Sequence, residues 1–159
     1  MKILILQSRM GIGDMVIYLP YIEAIAKKFN TKVSLLVKES SKAEEILKNN
    51  KHIENIIFLK RSNKNQRHDG IVGSINLIKD LKKIKFNKIF IFNSSLRYNL
   101  IAKLSGIQEI HQYPLFQKKN QHIIKAAQNF IKETLGVEIE SNPIVEVNEN
   151  EIKDTKNKK

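Results

Sequence analysis

Hydrophobic residues in this sequence form short runs that alternate with longer stretches in which they recur every three or four positions. The short runs have the length and the aliphatic composition of buried strands. The longer stretches have the periodicity of amphipathic helices. The runs predicted as strands are residues 3–6, 32–37, 53–59 and 88–92. The stretches predicted as helices are residues 14–29, 71–84, 96–104 and 120–135.

A further short helix is predicted from residues that resemble a helix start. It ends at Leu47 and begins after Ser40 or Ser41, whose hydroxyl groups suit an N-cap. Glu44 or Glu45 completes a capping box with that serine.

Other breakers and weaker runs complete the predicted elements. Pro20 lies inside the first long helix, where it removes a backbone donor and is expected to kink the helix. Gly106 and Gly136 follow the last two helices and are expected to end them. Residues 107–111 predict a short strand, and residues 143–147 predict an edge strand.

Strands that alternate with helices over the whole chain predict an α/β fold, with helices on both faces of a parallel sheet. This Rossmann-like sheet is expected to have five or six strands. At 159 residues the chain has the length of one domain with room for a core. We expect the domain to span residues 1–147. The charged segment 148–159 has no apolar periodicity and is expected to be a linker or a disordered tail.

Two polar turns carry the candidate chemistry, one after the first strand (residues 8–14) and one after the fourth (residues 93–97). In a parallel sheet both turns lie at the carboxyl edge, where α/β proteins bind ligands. They converge on one cleft only if their strands are neighbours or flank the point where the strand order reverses. A third polar segment, residues 61–70, is either a surface loop or a binding loop.

The first turn combines Arg9, Gly11, Gly13 and Asp14. The glycines allow close backbone approach or a positive φ, and the amino terminus of the next helix offers unpaired N–H groups. The turn lacks the third glycine of the dinucleotide fingerprint and the Lys-Ser/Thr pair of a phosphate-binding loop, which argues against both kinds of cofactor site. Two interpretations of Asp14 remain open: a general base for a substrate hydroxyl, or the N-cap of the helix.

Composition narrows the partners and the compartment. The formal net charge is +12, so attraction to an anionic partner is one interpretation. The other is a general lysine bias, because the lysines are spread along the chain and arginine does not cluster with aromatic residues as in nucleic-acid readers. No apolar run is long enough to span a bilayer or to act as a secretory signal, which predicts a cytoplasmic protein.

The residues that usually hold metals are few. The chain has no cysteine, which excludes disulfides and thiolate metal sites. The four histidines show no metal-ligand spacing, so no metal site is predicted and each histidine is expected on the surface or in a loop. They are His52, His68, His111 and His122.

The order of several short motifs resembles that of the family 9 glycosyltransferases, the heptosyltransferases of lipopolysaccharide core synthesis. In that family a strand leads to a loop with serine and glycine, a Gly-Asp pair and a helix with an early Leu-Pro, as in residues 1–20 here. An apolar strand, a polar turn and a helix ending in Leu-Ser-Gly follow in residues 86–106, and Leu-Gly-Val stands at 135–137. The resemblance covers nearly the whole chain.

The resemblance implies a GT-B architecture, in which two Rossmann-like domains face each other across a cleft. The amino-terminal domain binds the acceptor and the carboxyl-terminal domain binds the nucleotide-sugar donor. Transfer inverts the anomeric carbon and needs no metal or other cofactor. The family's catalytic base is the Asp of the Gly-Asp pair, which matches Asp14. One positioned carboxylate can remove the acceptor proton as the new C–O bond forms.

Basic and polar side chains near that carboxylate are the candidates for holding the acceptor and its phosphates. For Arg97, an arginine on the surface of a helix is an equal alternative. The predicted substrate-binding residues are Ser8, Arg9, Gly11, Gly13, Lys60, Arg61, Asn93, Ser94 and Arg97.

The sequence departs from the family in length, because a member is expected to continue for about 150 further residues. The chain is then a fragment, half of a split enzyme or a repurposed acceptor domain, and we expect little transferase activity from it alone. The expected partners are a lipopolysaccharide-core or other sugar acceptor, a donor domain and, peripherally, the inner membrane, with no nucleic acid. The alternative function is a non-catalytic basic module that binds RNA or an anionic membrane surface.

Overall fold

The computed structural model describes residues 1–9, 11–61, 66–114 and 122–140. It confirms the predicted alternation of strands and helices, with most boundaries within two residues of those expected. The strands are β1 (Ile3–Gln7), β2 (Val33–Val37), β3 (Ile53–Phe58), β4 (Lys88–Ile91) and β5 (Glu109–Gln112). The helices are α1 (Ile12–Lys28), α2 (Ala43–Leu47), α3 (Gly70–Ile84), α4 (Leu96–Leu104) and α5 (Ile123–Leu135).

The five strands form one parallel sheet in the order β3-β2-β1-β4-β5. The central strand β1 pairs with β2 on one side and β4 on the other, so that Ile5 lies between Leu35 and Phe90. The chain first builds outward from β1 to β3 and then returns through α3 to add β4 and β5 on the opposite side. This is the Rossmann-like sheet that the alternating pattern predicts.

Helices cover both faces of the sheet, because successive side chains of a strand point in opposite directions. Ile3 and Ile5 of β1 enter a core shared with α1, α2 and α5, which is rich in aromatic rings. Leu4 and Leu6 enter a second, mostly aliphatic core shared with α3 and α4. With β1 buried on both faces, its carboxyl end lies at the centre of the sheet edge.

Helix α1 begins at Ile12, two residues before the predicted start. Gly11 is its N-cap residue, with φ 105°, and Asp14 lies inside the first turn. The interpretation of Asp14 as the N-cap is therefore wrong, because the glycine ahead of it has already turned the chain into the helix. Pro20 lies within α1, which continues past it to Lys28.

The capping box predicted for α2 is also wrong. The residue that precedes α2 is Lys42, in the left-handed conformation with φ 54°, and no side chain caps the helix. The hydroxyl of Ser41 instead donates to the Lys38 carbonyl over 2.6 Å, within a 3-10 turn that spans Glu39–Ser41. A backward hydrogen bond of this kind competes with helix capping.

Some predictions fall on residues that the structure does not describe: the edge strand at 143–147, the tail at 148–159 and the first residues of the helix predicted at 120–135. Among the helices that are described, none combines the length and the apolar character needed to cross a bilayer.

Candidate active site

The turns that follow β1 and β4 meet at the carboxyl edge of the sheet. The two strands are hydrogen-bonded neighbours, and the pairing extends beyond them through the Phe92 amide, which donates to the Leu6 carbonyl over 3.0 Å. The chain leaves β1 and β4 toward opposite sides of the sheet, so this edge is the point where the strand order reverses. Ligands of open α/β sheets bind at such a switch point.

A direct side-chain hydrogen bond joins the two turns. The Asn93 amide donates to the Ser8 hydroxyl over 2.8 Å. The other end of the same amide, Oδ1, accepts the backbone N–H of Ser95 over 2.7 Å, and Ser94 lies half-buried between them. The predicted site residues Ser8, Asn93 and Ser94 are therefore brought together, with the orientation of Asn93 fixed from both ends.

Gln112, the last residue of β5, supports this loop and was missed by the sequence analysis. Its Nε2 donates to the carbonyls of Asn93 and Ser95, each over 2.9 Å, and its Oε1 accepts from the Asn99 amide over 2.8 Å. The predicted strand ended one residue earlier, at 111. The available signal was a polar residue in register with the end of the preceding strand, Ile91.

The two glycines of the first turn have different roles. Gly11 takes φ 105°, a conformation that side-chain-bearing residues rarely adopt. Gly13 is helical, and a β-carbon built on it meets none of the described residues within 4 Å. The first turn of α1 therefore presents its unpaired N–H groups beside open space, which suits a negatively charged or hydroxyl-bearing ligand.

Asp14 lies half-buried in that first turn, where the partial positive charge of the helix end favours a carboxylate. Its charge acts on the hydroxyl of Tyr18, one turn further along α1. Because α1 starts at the end of β1, the carboxylate lies at the same edge as Ser8 and Asn93.

Arg9 is exposed and lies next to two buried tyrosines. The Tyr113 hydroxyl donates to the Tyr18 hydroxyl over 3.5 Å. Burial raises the pKa of Tyr18, and hydrogen bonds with Tyr113 and Arg9 act in the opposite direction. Burial also raises the pKa of Tyr113. Both phenols are therefore neutral at physiological pH, and Arg9 is the cation that interacts with them.

Lys60, Arg61 and Arg97 meet around His68, and we call this group the basic corner. The His68 amide donates to the Lys60 carbonyl over 2.9 Å, and the Lys60 amide donates to His68 Nδ1 over 3.1 Å. Arg97 Nη2 donates to the His68 carbonyl over 2.8 Å. Arg61 approaches Asp69, with 3.8 Å between Nε and Oδ1. The basic residues predicted from two distant segments thus share one place.

Arg97 is half-buried in the first turn of α4, with its guanidinium bonded to the main chain at His68. Burial, followed by the positive charge of Arg61, lowers the pKa of Arg97. Its Nε is buried and has no hydrogen-bond partner among the residues described. The two guanidinium groups are close enough to repel each other, and an anion bound between them would relieve that repulsion.

Asp80 of α3 holds the basic corner in place. Its carboxylate accepts two hydrogen bonds from Arg67, over 2.9 and 2.6 Å, and lies 3.2 Å from His68 Nε2. The hydrogen bond from Arg67, with that from His68, lowers the pKa of Asp80 to about 2. Because His68 Nδ1 accepts from the Lys60 amide, the ring carries its proton on Nε2 and donates it to Asp80. His68 lies in the loop ahead of α3, as one of the two predicted alternatives has it, and its side chain is buried there.

The first turn of α4 connects the two groups of residues. Ser95 is its N-cap residue and belongs to the Asn93 network, and Arg97 stands two residues later in the basic corner. Gln7, the last residue of β1, adds a buried amide whose two polar atoms have no partner among the described residues.

Within the described part of the chain, no three side chains of the kinds that ligate metals come together.

Comparison with known proteins gives a structural likeness alone. No protein-family model and no curated protein sequence matches the chain. Solved structures do match. The structure of a family 9 glycosyltransferase from Veillonella parvula DSM 2008 matches with TM-score 0.65 and 16% sequence identity, and the match covers 98% of this chain and 48% of that one. The E. coli ADP-heptose lipopolysaccharide heptosyltransferase II matches with TM-score 0.65 and 15% sequence identity, and the match covers 99% of this chain and 50% of that one.

A third structure, the E. coli heptosyltransferase WaaC with ADP, gives TM-score 0.61 and 14% identity, with 89% of this chain and 50% of that chain covered. The chain therefore spans about half the length of the solved structures that it matches. It has the fold of the amino-terminal half of GT-B heptosyltransferases, as the motif order implies.

Proposed function

We propose that this chain is the acceptor-binding half of a glycosyltransferase and that Asp14 is the catalytic base. The observation that carries the proposal is the position of Asp14: it is a carboxylate in the first turn of α1, at the switch point of the sheet, beside the open space above Gly13. The fold likeness to a family 9 glycosyltransferase supports the same role. So does the sequence resemblance of the Gly13-Asp14 pair to the Gly-Asp pair of that family.

In the proposed reaction, Asp14 accepts the proton of an acceptor hydroxyl. The hydroxyl oxygen forms a bond to the anomeric carbon of a nucleotide-sugar, and the bond from that carbon to the nucleotide diphosphate breaks. Attack from the face opposite the leaving group inverts the anomeric carbon. The proposed role of the carboxylate is general base catalysis, which typically raises the reaction rate by about 10²–10⁴.

The proposed acceptor is a phosphorylated sugar, such as the core of lipopolysaccharide. Arg61 and Arg97 supply two cationic groups at one place. Arg9, above the tyrosine pair, adds a third cation at the same edge. Ser8, Asn93 and Ser94 offer the neutral hydrogen-bonding groups that orient sugar hydroxyls.

The nucleotide-sugar donor is proposed to bind a second domain, because the chain spans about half the length of the glycosyltransferases that it resembles. The chain alone is then expected to bind the acceptor and to transfer little or no sugar. Incubation with a nucleotide-heptose and a lipid A-core acceptor measures this, and robust turnover by the isolated chain contradicts the division between acceptor and donor halves.

Acceptor binding is tested by the melting temperature of the chain with a lipopolysaccharide-core oligosaccharide, with and without its phosphates. We expect the phosphorylated form to raise the melting temperature, Asp14→Asn to change that rise, and Arg97→Gln to remove the preference for phosphates. Glu44→Gln is the matched control, because Glu44 is an exposed carboxylate on α2. A chain that ignores the acceptor, and binds RNA with a steep salt dependence unaffected by Asp14→Asn, is the basic module instead.

A further inference from the structure

Four hydrogen-bonded residues cross the carboxyl edge of the sheet and join α4, β5 and the turns that follow β4 and β1. We call them the edge network, which runs from Asn99 through Gln112 and Asn93 to Ser8. The bonds that link them are 2.8 to 2.9 Å long. All four residues are half-buried. The network therefore connects the end of β5, which lies away from the glycine turn, to the first residue after β1.

The direction of the hydrogen bonds in the edge network is fixed by main-chain groups. A backbone carbonyl only accepts, so the end of Gln112 that lies 2.9 Å from the carbonyls of Asn93 and Ser95 is its NH₂ group. A backbone N–H only donates, so the end of Asn93 that lies 2.7 Å from the Ser95 amide is its oxygen. The NH₂ group of Asn93 therefore faces Ser8, with 2.8 Å between Nδ2 and Oγ.

These directions give the Ser8 hydroxyl one defined capacity. The nitrogen of a side-chain amide does not accept hydrogen bonds, so Ser8 Oγ is the acceptor toward Asn93 and its own proton lies outside that bond. None of the hydrogen bonds among the described residues uses this proton. Ser8 is half-buried at the carboxyl edge and precedes the exposed Arg9. The hydroxyl is therefore available as a donor at the edge where the ligand is proposed to bind.

We propose that Gln112 is a positioning residue that makes Ser8 a hydrogen-bond donor to the ligand. Gln112 holds the carbonyls of Asn93 and Ser95, which keeps the Asn93 amide in one orientation. Asn93 in turn occupies a lone pair of Ser8 Oγ and leaves the proton for the ligand. The proposal rests on the proposed acceptor-binding function and adds a specificity to it: Ser8 selects an oxygen with a free lone pair over a group that only donates, such as an ammonium.

A donor at Ser8 complements the carboxylate of Asp14, which accepts. In the proposed reaction the attacking hydroxyl gives its proton to Asp14, while another oxygen of the same acceptor molecule receives the hydrogen bond from Ser8. Two groups of opposite hydrogen-bonding character at one edge distinguish one orientation of a sugar from the reverse orientation. A reaction at one hydroxyl among several requires such an orientation.

A purely structural role for Gln112 is the competing explanation, because its Oε1 also accepts from Asn99 and joins β5 to α4. In that case the loss of Gln112 weakens the fold and affects ligand binding independently of Ser8. Under the proposal Gln112 acts on the ligand through Ser8, so the effects of the two residues on affinity are not additive.

The test is a double-substitution cycle of Gln112→Met and Ser8→Ala in the full chain. The dissociation constant of a lipopolysaccharide-core oligosaccharide is measured by calorimetry, and melting temperatures report whether each variant is folded. Each single substitution is expected to weaken binding about three- to tenfold, the effect typical of one neutral hydrogen bond. In the chain that already carries Ser8→Ala, Gln112→Met is expected to change the affinity by less than about twofold. Gln108→Met, at an exposed position ahead of β5, is the matched control.

A second cycle tests the direction of the bond between Asn93 and Ser8. Asn93→Asp keeps the shape of the side chain and the bond from the Ser95 amide, but both of its oxygens accept, so the Ser8 proton turns toward it. In that background Ser8→Ala is expected to change the affinity by less than about twofold. Because both dissociation constants come from the same background, the effect of the added negative charge on the ligand cancels.

A measurement without ligand tests the same order of dependence. Gln112→Met is expected to raise the hydrogen-exchange rate of the Asn93 side-chain amide, observed by NMR. Ser8→Ala is expected to leave the exchange rate of the Gln112 side-chain amide unchanged. An Asn93 amide that exchanges at the same rate with and without Gln112 would overturn the positioning role.

The binding outcomes separate this proposal from the proposed function. Additive losses from Gln112→Met and Ser8→Ala would overturn the positioning role, and unchanged affinity in Ser8→Ala would overturn the donor role, while acceptor binding by the unaltered chain stands. An unaltered chain that does not bind the oligosaccharide contradicts the proposed function, and this proposal falls with it. A Ser8→Ala loss supports the donor role with either ligand: if it is confined to the phosphorylated oligosaccharide the oxygen is a phosphate oxygen, and if the dephosphorylated form shows it too the oxygen belongs to the sugar.

Discussion

Two parts of the carboxyl edge, the basic corner and the turn between β1 and α1, are held in place in different ways. The basic corner is anchored by buried and ionic contacts: His68 is bonded to Lys60, Asp80 and Arg97, and Asp80 also holds Arg67. The turn between β1 and α1 has a positive φ at Gly11 and is held by partly or fully exposed side chains: Asn93 donates to Ser8, and Arg9 bonds to Tyr18.

The difference separates two tasks that a site at this edge needs. Cations that hold an anion are most effective when their positions are fixed before the ligand arrives. A carboxylate that accepts a proton needs space for the hydroxyl to approach, and Asp14 stands on a helix turn with open space at the neighbouring Gly13. We therefore interpret the rigid corner as the part that positions the ligand and the glycine turn as the part that reacts.

The largest expected effect on stability in a test of this difference comes from a methyl group added next to His68. A β-carbon on Gly73 would lie 2.1 Å from the backbone carbon of His68, so Gly73→Ala must displace main chain. We expect a loss of about 3 kcal/mol or more in the free energy of unfolding, measured by urea denaturation. The control is Gly13→Ala, where no described residue lies within 4 Å of the added carbon and a gain of about 0.5 kcal/mol is expected. Equal effects of the two substitutions would contradict the assigned difference in rigidity.

A smaller effect, with a pH signature, is expected from Asp80→Asn. The pKa of Asp80 is lowered from 3.8 to about 2, so its ion pairs stabilise the fold fully above pH 4 and lose that contribution as the pH falls toward 2. At neutral pH the substitution is expected to cost about 1–2 kcal/mol, since Arg67 is partly solvated. Urea midpoints between pH 7 and pH 2 should converge for the two proteins.

A pH-independent gap between the two proteins would contradict an electrostatic role for Asp80. Glu45→Gln is the matched control, because the pair of Glu45 with Lys42 lies on the exposed surface and its loss is expected to change the stability by less than about 0.5 kcal/mol.

The smallest effect is expected at the glycine turn. Ser8→Ala removes the acceptor of the Asn93 amide, and we expect a loss of about 1 kcal/mol in urea denaturation, because both side chains are partly solvated. Ser40→Ala, at an exposed position, serves as the control. A loss at Ser8 as large as that at Gly73 would show that the turn is as tightly held as the basic corner.

The fold could be predicted because local patterns determine most of it. The buried runs and the helical periodicities define the strands and helices within a residue or two, and their alternation implies a parallel sheet. The strand order could not be read in this way, since it depends on long-range pairing. Once β1 and β4 are neighbours, the condition for bringing Ser8 next to Asn93 is met.

The failures of prediction have local physical causes. Asp14 and Ser41 both looked like helix caps, but Gly11 turned the chain before Asp14, and the Ser41 hydroxyl bonded backward to Lys38. His68 is in a loop, as predicted, but its burial was not foreseen; its ring is bonded to a backbone amide and to a carboxylate from α3. Partners so distant in the sequence leave no periodic signal near the residue itself.

The guanidinium of Arg97 has a structural role as well as its charge, because its Nη2 hydrogen-bonds the start of α4 to the main chain ahead of α3. Affinity for an anion at this position cannot be tuned independently of helix packing. A neutral replacement removes both the charge and the hydrogen bond to the main chain. Lysine keeps the charge but offers one ammonium group in place of the several planar N–H donors of a guanidinium. Variation that alters the preferred ligand is therefore expected at Arg61 or Arg9 before it is tolerated at Arg97.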